Sequence, residues 1–199
     1  MDSPADHENG PGERPLNRRD AVKRILWTGI AAASMLPVYA RRTDAAMEIK
    51  PLCTGSLSLV NPYNRETLQV RYLGEDGRFD PDSLERLNRF FRCPYTHKIH
   101  VIDPVLFLLL DAVRYRLGAN ERTIRLVSGY RSPEYNRLLR SRTIRAAKKS
   151  YHLKGMAADI QIHGVRLRDL QSTAKSLKMG GVGRYSRFAH LDVGPLRYW

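Results

Sequence analysis

Acidic residues are scarce in this sequence and cysteines scarcer: 20 Asp and Glu face 34 Lys and Arg over 199 residues, and Cys53 and Cys93 are the whole thiol complement. Two cysteines are too few for a disulfide scaffold, and without a Cys-x-x-Cys pair they make no structural zinc site. They could bridge each other only in an oxidising compartment. No internal repeat is present, which removes solenoid architectures. RNP, zinc-finger and basic-zipper patterns are missing too, so the basic balance carries no nucleic-acid signature. Long apolar runs are also lacking: residues 25–40 are interrupted by Thr28, Gly29, Ser34 and Pro37 and fall short of the ~20 residues of a spanning helix. What remains, 42% hydrophobic and 27% charged, is ordinary for a globular protein and suits one domain with an appendage.

The appendage is the N-terminus. A polar lead is followed by Asn17-Arg18-Arg19-Asp20-Ala21-Val22-Lys23, a mildly apolar stretch, the breaker Pro37 and the small-residue site Val38-Tyr39-Ala40. Paired arginines ahead of modest hydrophobicity resemble a twin-arginine (Tat) export signal, cleaved after Ala40, rather than a membrane anchor. The Tat export machinery would then be a partner, the mature chain would start at Arg41, and it would work in the periplasm with no stable membrane insertion. Residues 1–40 hold five basic and five acidic residues, so the excess of +14 belongs to the remaining 159. Such a domain suits anionic lipid or an acidic polymer. Export makes nucleic acid the weakest partner. The run of arginines between Arg137 and Arg145 with Lys148-Lys149 is by itself only a solvated face.

Residues 41–54 lack periodicity and read as an exposed arm; residues 55–199 form one domain. Alternation predicts a strand pair over 56–60 and 66–73, with Asn61-Pro62-Tyr63-Asn64 between them. Asp80-Pro81, Asp103-Pro104 and Ser132-Pro133 each place a capping side chain before proline, opening helices to about Arg92, Leu117 and Thr143. Further strands are expected over 124–128, 157–163 and 188–193, and a helix over 166–178.

Two segments carry chemistry. Period two along 157–163 puts Asp159, Gln161 and His163 on one face, and Gly155 permits the turn that brings His152 back over it. The same alternation separates His190 and Asp192 from Ala189, Leu191 and Val193. Laid side by side, the two strands let His152, Asp159 and His190 converge. Two imidazoles and a carboxylate with an open fourth position make the ligand set of a catalytic zinc. From the residues alone, hydrogen-bonded histidines remain the alternative.

The pattern Ser150-x-His152-x-x-Gly155-x-Ala157-x-Asp159, followed by His190-Leu191-Asp192, resembles the zinc peptidases of the D-Ala-D-Ala carboxypeptidase and Hedgehog-like superfamily. It is closest to their YcbK-like branch, the murein endopeptidase K type. Ser128-Gly129-Tyr130-Arg131-Ser132, Lys148-Lys149-Ser150-Tyr151-His152, Gly180-Gly181-Val182-Gly183, Gly194-Pro195-Leu196-Arg197-Tyr198-Trp199 and a twin-arginine leader belong to the same likeness. The resemblance spans essentially the whole mature chain. It implies an α+β fold with a small antiparallel sheet flanked by helices. It also implies one Zn2+ per chain on His152, Asp159 and His190, with Ser150 and Arg131 holding substrate carboxylate or the oxyanion. Tyr130 is placed with them at the substrate, with a core role as its alternative.

One departure concerns the general base. Many relatives carry a carboxylate three residues before the third ligand, where this chain has Arg187, and no acidic residue lies between Asp169 and His190. Asp192 is therefore the sequence candidate for the base. Its competing role is to accept a hydrogen bond from a ligand imidazole; His163 is a third candidate. The function expected is a periplasmic metalloprotease, a hydrolase that uses zinc-activated water to cut DD- or LD-type peptide cross-links in the cell wall. Carboxylate-rich peptidoglycan stem peptides would be the partner of the basic domain. A D-Ala-releasing carboxypeptidase, a catalytically silent murein-binding module and a basic anionic-surface binder are the rivals.

Overall fold

The computed structural model describes residues 52–142 and 147–199. The leader read over 1–40 and most of the arm lie outside the described residues. Strands β1 (Ser56–Val60) and β2 (Thr67–Arg71) form the expected antiparallel pair, with Ser56 opposite Arg71. Their connection is folded by Asn61 and Asn64, whose carboxamide oxygens accept the backbone N–H groups of Tyr63 and Glu66, a local competition that asparagine wins in turns.

Helix α1 (Pro81–Phe90) starts where the Asp80 carboxylate accepts the Ser83 N–H at 3.0 Å, and it buries Leu84, Leu87 and Phe90. Helix α2 (Pro104–Arg116), capped by Asp103 on the Val105 N–H, is buried on all sides from Pro104 to Arg114. It packs against strands β1 and β4 (Ala157–Ile162) and helix α4 (Leu167–Leu177). Strand β3 (Ile124–Ser128) and helix α3 (Pro133–Arg142) complete the elements read correctly from the sequence. No helix among the described residues is long and apolar enough to cross a membrane.

The sheet corrects the expectation of a small antiparallel one. It has seven strands in the order β2-β1-β3-β4-β6-β5-β7, with β5 (Gly181–Arg184), β6 (Ala189–Asp192) and β7 (Arg197–Tyr198), and it is mixed, because β1 pairs β3 and β5 pairs β7 in parallel. A parallel pair needs a long crossover, and the segment carrying α1 and α2 supplies it between β1 and β3. Strands β5 and β7 escaped the sequence reading because Gly-Val-Gly-Arg has weak strand propensity and β7 is two residues long.

Asp111, fully buried on α2, ties the chain entry to this core. It accepts from Thr54 Oγ1 at 2.9 Å, the Gly55 N–H at 2.8 Å, the Tyr72 hydroxyl at 3.0 Å and the buried Arg114 guanidinium at 3.4 Å. The last residues of the arm are thus docked. Cys53 donates to the Leu108 carbonyl, and burial, then the charge of Asp111, pushes its thiol up to about 12. Both cysteines are free.

Candidate metal centre

Three adjacent strands bring the chemistry to one row. Strand β4 runs antiparallel to both β3 and β6, which sets Asp159 opposite Ser128 on one side and opposite His190 on the other. His152 arrives from outside the sheet on a 3₁₀ turn, Tyr151–Lys154. The Ser150 hydroxyl accepts the His152 N–H at its start, and Gly155, at φ 66°, ends it. A Cβ at Gly155 would strike the Val101 carbonyl, so glycine is required both for the left-handed backbone and for the close approach.

The result is a tight triangle. His190 Nδ1 lies 2.8 Å and His152 Nε2 3.2 Å from the same atom, Asp159 Oδ1, and the two nitrogens are 3.2 Å apart. All three side chains are buried. The rear nitrogens fix the tautomers. His152 Nδ1 stands 2.7 Å from the Gly129 carbonyl, which can only accept, so Nδ1 carries the hydrogen and Nε2 turns its lone pair inward. His190 Nε2 donates likewise to Asp192 Oδ2 at 3.1 Å, leaving Nδ1 as the inward lone pair. Two lone pairs and an anionic oxygen aimed at one point repel one another unless a cation or a proton lies among them. As a donor set they fit a divalent metal such as zinc, and they are a metal-competent group by their mutual distances.

Electrostatics agree with that geometry. Burial alone would raise the Asp159 carboxyl, yet His152, His190 and Arg131 hold it well below the usual carboxylate range. Arg131 donates to the other oxygen, Oδ2, and steadies itself by donating Nε–H to the Ser128 hydroxyl at 2.9 Å. Burial lowers His152. Burial opposes protonation of His190 as well, but hydrogen bonds to Asp159 and Asp192 outweigh it and raise that imidazole.

Asp192 lies behind His190, on the side away from the triangle. Besides the His190 proton it accepts the N–H groups of Gly181 and Gly194 at 3.3 and 2.9 Å and both terminal nitrogens of Arg197, at 3.1 and 2.7 Å. A carboxylate so saturated, touching the remote nitrogen, does not sit where a general base must; the hydrogen-bond-acceptor alternative is the one its position fits. Arg197 in turn lies over the rings of Tyr151 and Trp199, at 4.6 and 5.0 Å, and Trp199 packs on His190 at 5.3 Å. Gly183 makes room for that indole: a Cβ there would stand 2.7 Å from it.

A cavity of about 440 Å³ opens over the triangle, and Arg131 and Ser150 line it as expected. Tyr130 does not. It is buried and stacks on His100 at 4.6 Å, so its core alternative is what the fold places. His163 opens on a different depression beside Arg122 and Arg125. The sequence reading missed the Gly129 carbonyl, for which no side chain gives a signal, and the cavity residues Lys149, Tyr185, Arg187, Arg197 and Trp199. Lys149, Arg197 and Trp199 stood in noted motifs without a role, and Arg187 was named only as the place of a missing carboxylate.

The family model described as "Peptidoglycan L,D-endopeptidase MepK" matches residues 52–199. The chain is 42% identical over 190 residues to the peptidoglycan L,D-endopeptidase MepK of Escherichia coli (strain K12), an alignment covering 92% of this chain and all of that protein. The Shigella flexneri protein of the same name gives the same figures. A probable peptidoglycan L,D-endopeptidase MepK of Haemophilus influenzae is 41% identical over 123 residues, covering 61% of this chain and 66% of that one.

Proposed function

The chain belongs to the peptidoglycan L,D-endopeptidase MepK family, and from that membership we propose that it is an exported, zinc-dependent endopeptidase that hydrolyses peptide cross-links in peptidoglycan. The observation that carries the metal assignment is the convergence of His152 Nε2 and His190 Nδ1 on Asp159 Oδ1, each ring tied from behind so that its lone pair faces inward. His152, Asp159 and His190 would hold one zinc ion. When bound, zinc supplies Lewis acidity toward the scissile carbonyl and toward water, which brings amide hydrolysis within reach of neutral pH.

The protein's own groups do the positioning. Arg131 anchors Asp159 through Oδ2 and keeps Oδ1 directed at the centre. Facing the cavity, its guanidinium is also placed to steady negative charge developing on the carbonyl oxygen. Ser150 shapes the turn that presents His152 and lines the cavity beside it. Asp192 acts through His190 as a positioning residue rather than as the base. We read the mixed sheet and its helices as the Hedgehog/D-Ala-D-Ala peptidase-like fold, and the leader as a Tat signal that delivers the domain to the periplasm.

The deciding experiment is digestion of purified sacculi by the intact chain with and without chelator, with muropeptides identified by mass. Loss of cross-linked dimers, abolished by chelator and restored by zinc, supports the reading. Release of free terminal D-alanine with cross-links intact would make the enzyme a carboxypeptidase. Binding to sacculi with no cleavage would make it a silent module.

A further inference from the structure

We propose that Lys149 and Arg187 are specificity-determining residues that receive free carboxylates borne by the substrate beside the scissile bond; this rests on the peptidase reading above. Four cations line the cavity over the triangle: Arg131, Lys149, Arg187 and Arg197. Two are neutralised from within, Arg131 by Asp159 and Arg197 by Asp192. Lys149 and Arg187 are exposed, and among the described residues no carboxylate meets either side chain. The cavity's lining contains a single acidic residue, Asp159, already held between the imidazoles and Arg131. Among the described residues the opening therefore has two positive charges that no carboxylate of the lining offsets.

Their placement follows the site. Each stands three residues ahead of an imidazole, Lys149 before His152 and Arg187 before His190, so each segment that delivers an imidazole also brings one cation to the cavity's rim. The β5–β6 turn that carries Arg187 is anchored, since Gln161 donates its amide to the Arg187 carbonyl and Phe188 stacks on Tyr185 at 4.6 Å. Arg131, for which the family resemblance implied a carboxylate-holding task, has its Nε and one terminal nitrogen engaged within the protein. Arg187, by contrast, presents a planar fork, matched to bidentate carboxylate recognition, while Lys149 offers a point charge on a flexible four-carbon stem. The peptide best matched to this opening bears an acid group close to the scissile amide on either side of it.

The test uses the zinc-loaded full chain and two synthetic cross-linked peptides, identical except that the acid groups flanking the scissile amide are free in one and primary amides in the other. The wild type is expected to prefer the acid peptide by about ten- to a hundredfold in kcat/KM, mostly through KM, the range of a charged hydrogen bond. That preference should shrink as salt is added. Arg187→Gln and Lys149→Gln should each lower the acid-to-amide ratio, Arg187→Gln the more, with zinc content kept at one per chain and Arg187→Lys restoring part of it. The same ratio should appear in dissociation constants measured calorimetrically on metal-free protein. If both glutamine variants keep the full wild-type ratio, or the wild type cuts both peptides equally well, the assignment is overturned. A wild type that cuts neither peptide fails the peptidase reading itself, and the carboxylate assignment falls with it.

Discussion

His190 hands its Nε2 hydrogen to Asp192, and Arg197 grips the same carboxylate from the far side at 2.7 Å, so a guanidinium on β7 sets the tautomer of an imidazole on β6. Asp192→Asn is therefore expected to weaken zinc binding by about 10–100-fold, as loss of a group that orients a ligand does. Turnover per zinc-loaded chain should change far less. A general base would give the reverse, with zinc retained and the rate down by about 10²–10⁴. Zinc titration alongside turnover on the same preparation separates the two.

His152→Ala removes one donor of the triangle and leaves Asp159 with His190 alone. Zinc content measured by atomic emission should drop from about one per chain to near none, with cross-link cleavage lost in parallel. A variant that keeps stoichiometric zinc would show that the ion sits elsewhere.

Titration of the metal-free protein should have a maximum. His152 is lowered from its ordinary 6.5, so its contribution to stability is present above 6.5 and is lost as pH falls toward the lowered value. His190 is raised, so its contribution is complete below 6.5 and is lost as pH climbs through the raised value. The two slopes meet near pH 6.5. Asp159, held low, adds stability above 3.8 that disappears in stronger acid. Melting temperatures of chelator-treated wild type against His190→Gln should differ most at pH 6.5 and below and converge in alkali, as the raised imidazole loses its proton. Zinc uptake near that pH should release a proton, measurable by calorimetry in buffers of different ionisation enthalpy.

A second buried polar cluster surrounds Asp111, away from the metal centre. Asp111→Ala would leave Arg114, a buried cation, without its counter-charge, orphan the Gly55 N–H and leave the Tyr72 hydroxyl only the Phe107 carbonyl at 3.5 Å. Breaking one side of a buried pair costs about 3–5 kcal/mol. The urea midpoint should fall accordingly, with zinc affinity of the folded fraction unchanged.

Export is testable apart from the fold. Changing Arg18 and Arg19 together to lysine is expected to stop translocation, and the exported wild type is expected to begin at Arg41. Both positions lie outside the described residues. Undiminished export of the lysine form would remove the Tat assignment.

Much of the centre was legible because its geometry is local and periodic. Alternation along residues 157–163 and 188–193 put Asp159 and His190 on the polar faces of their strands, and Gly155 marked the turn under His152; the ligand set came from the family resemblance and the register from the sheet itself. The parts that stayed hidden depend on other kinds of information. Gly129 contributes a carbonyl, which any residue has. Asp192 was placed on the correct face, but whether it meets Nδ1 or Nε2 is decided by ring rotation and by Arg197, seven residues past His190 and on another strand. The mixed character of the sheet rests on the β1–β3 crossover and on a two-residue strand, neither of which leaves a hydrophobic period. Arg131 was assigned to the substrate, and its engagement by Asp159 became apparent only once β3 and β4 were in register.

The order of the metal centre along the chain has a consequence for biosynthesis. Arg131, His152 and Asp159 leave the ribosome first; the partner strand that positions His190, the glycine that admits the indole and the guanidinium that locks Asp192 all lie between residues 181 and 199. Folding during translation proceeds from the N-terminus, yet the donor triangle lacks its third member until β6 is made and lacks the Arg197 hold on Asp192 until β7 is. The donor set therefore comes together only after residues at the end of the chain have been made and paired.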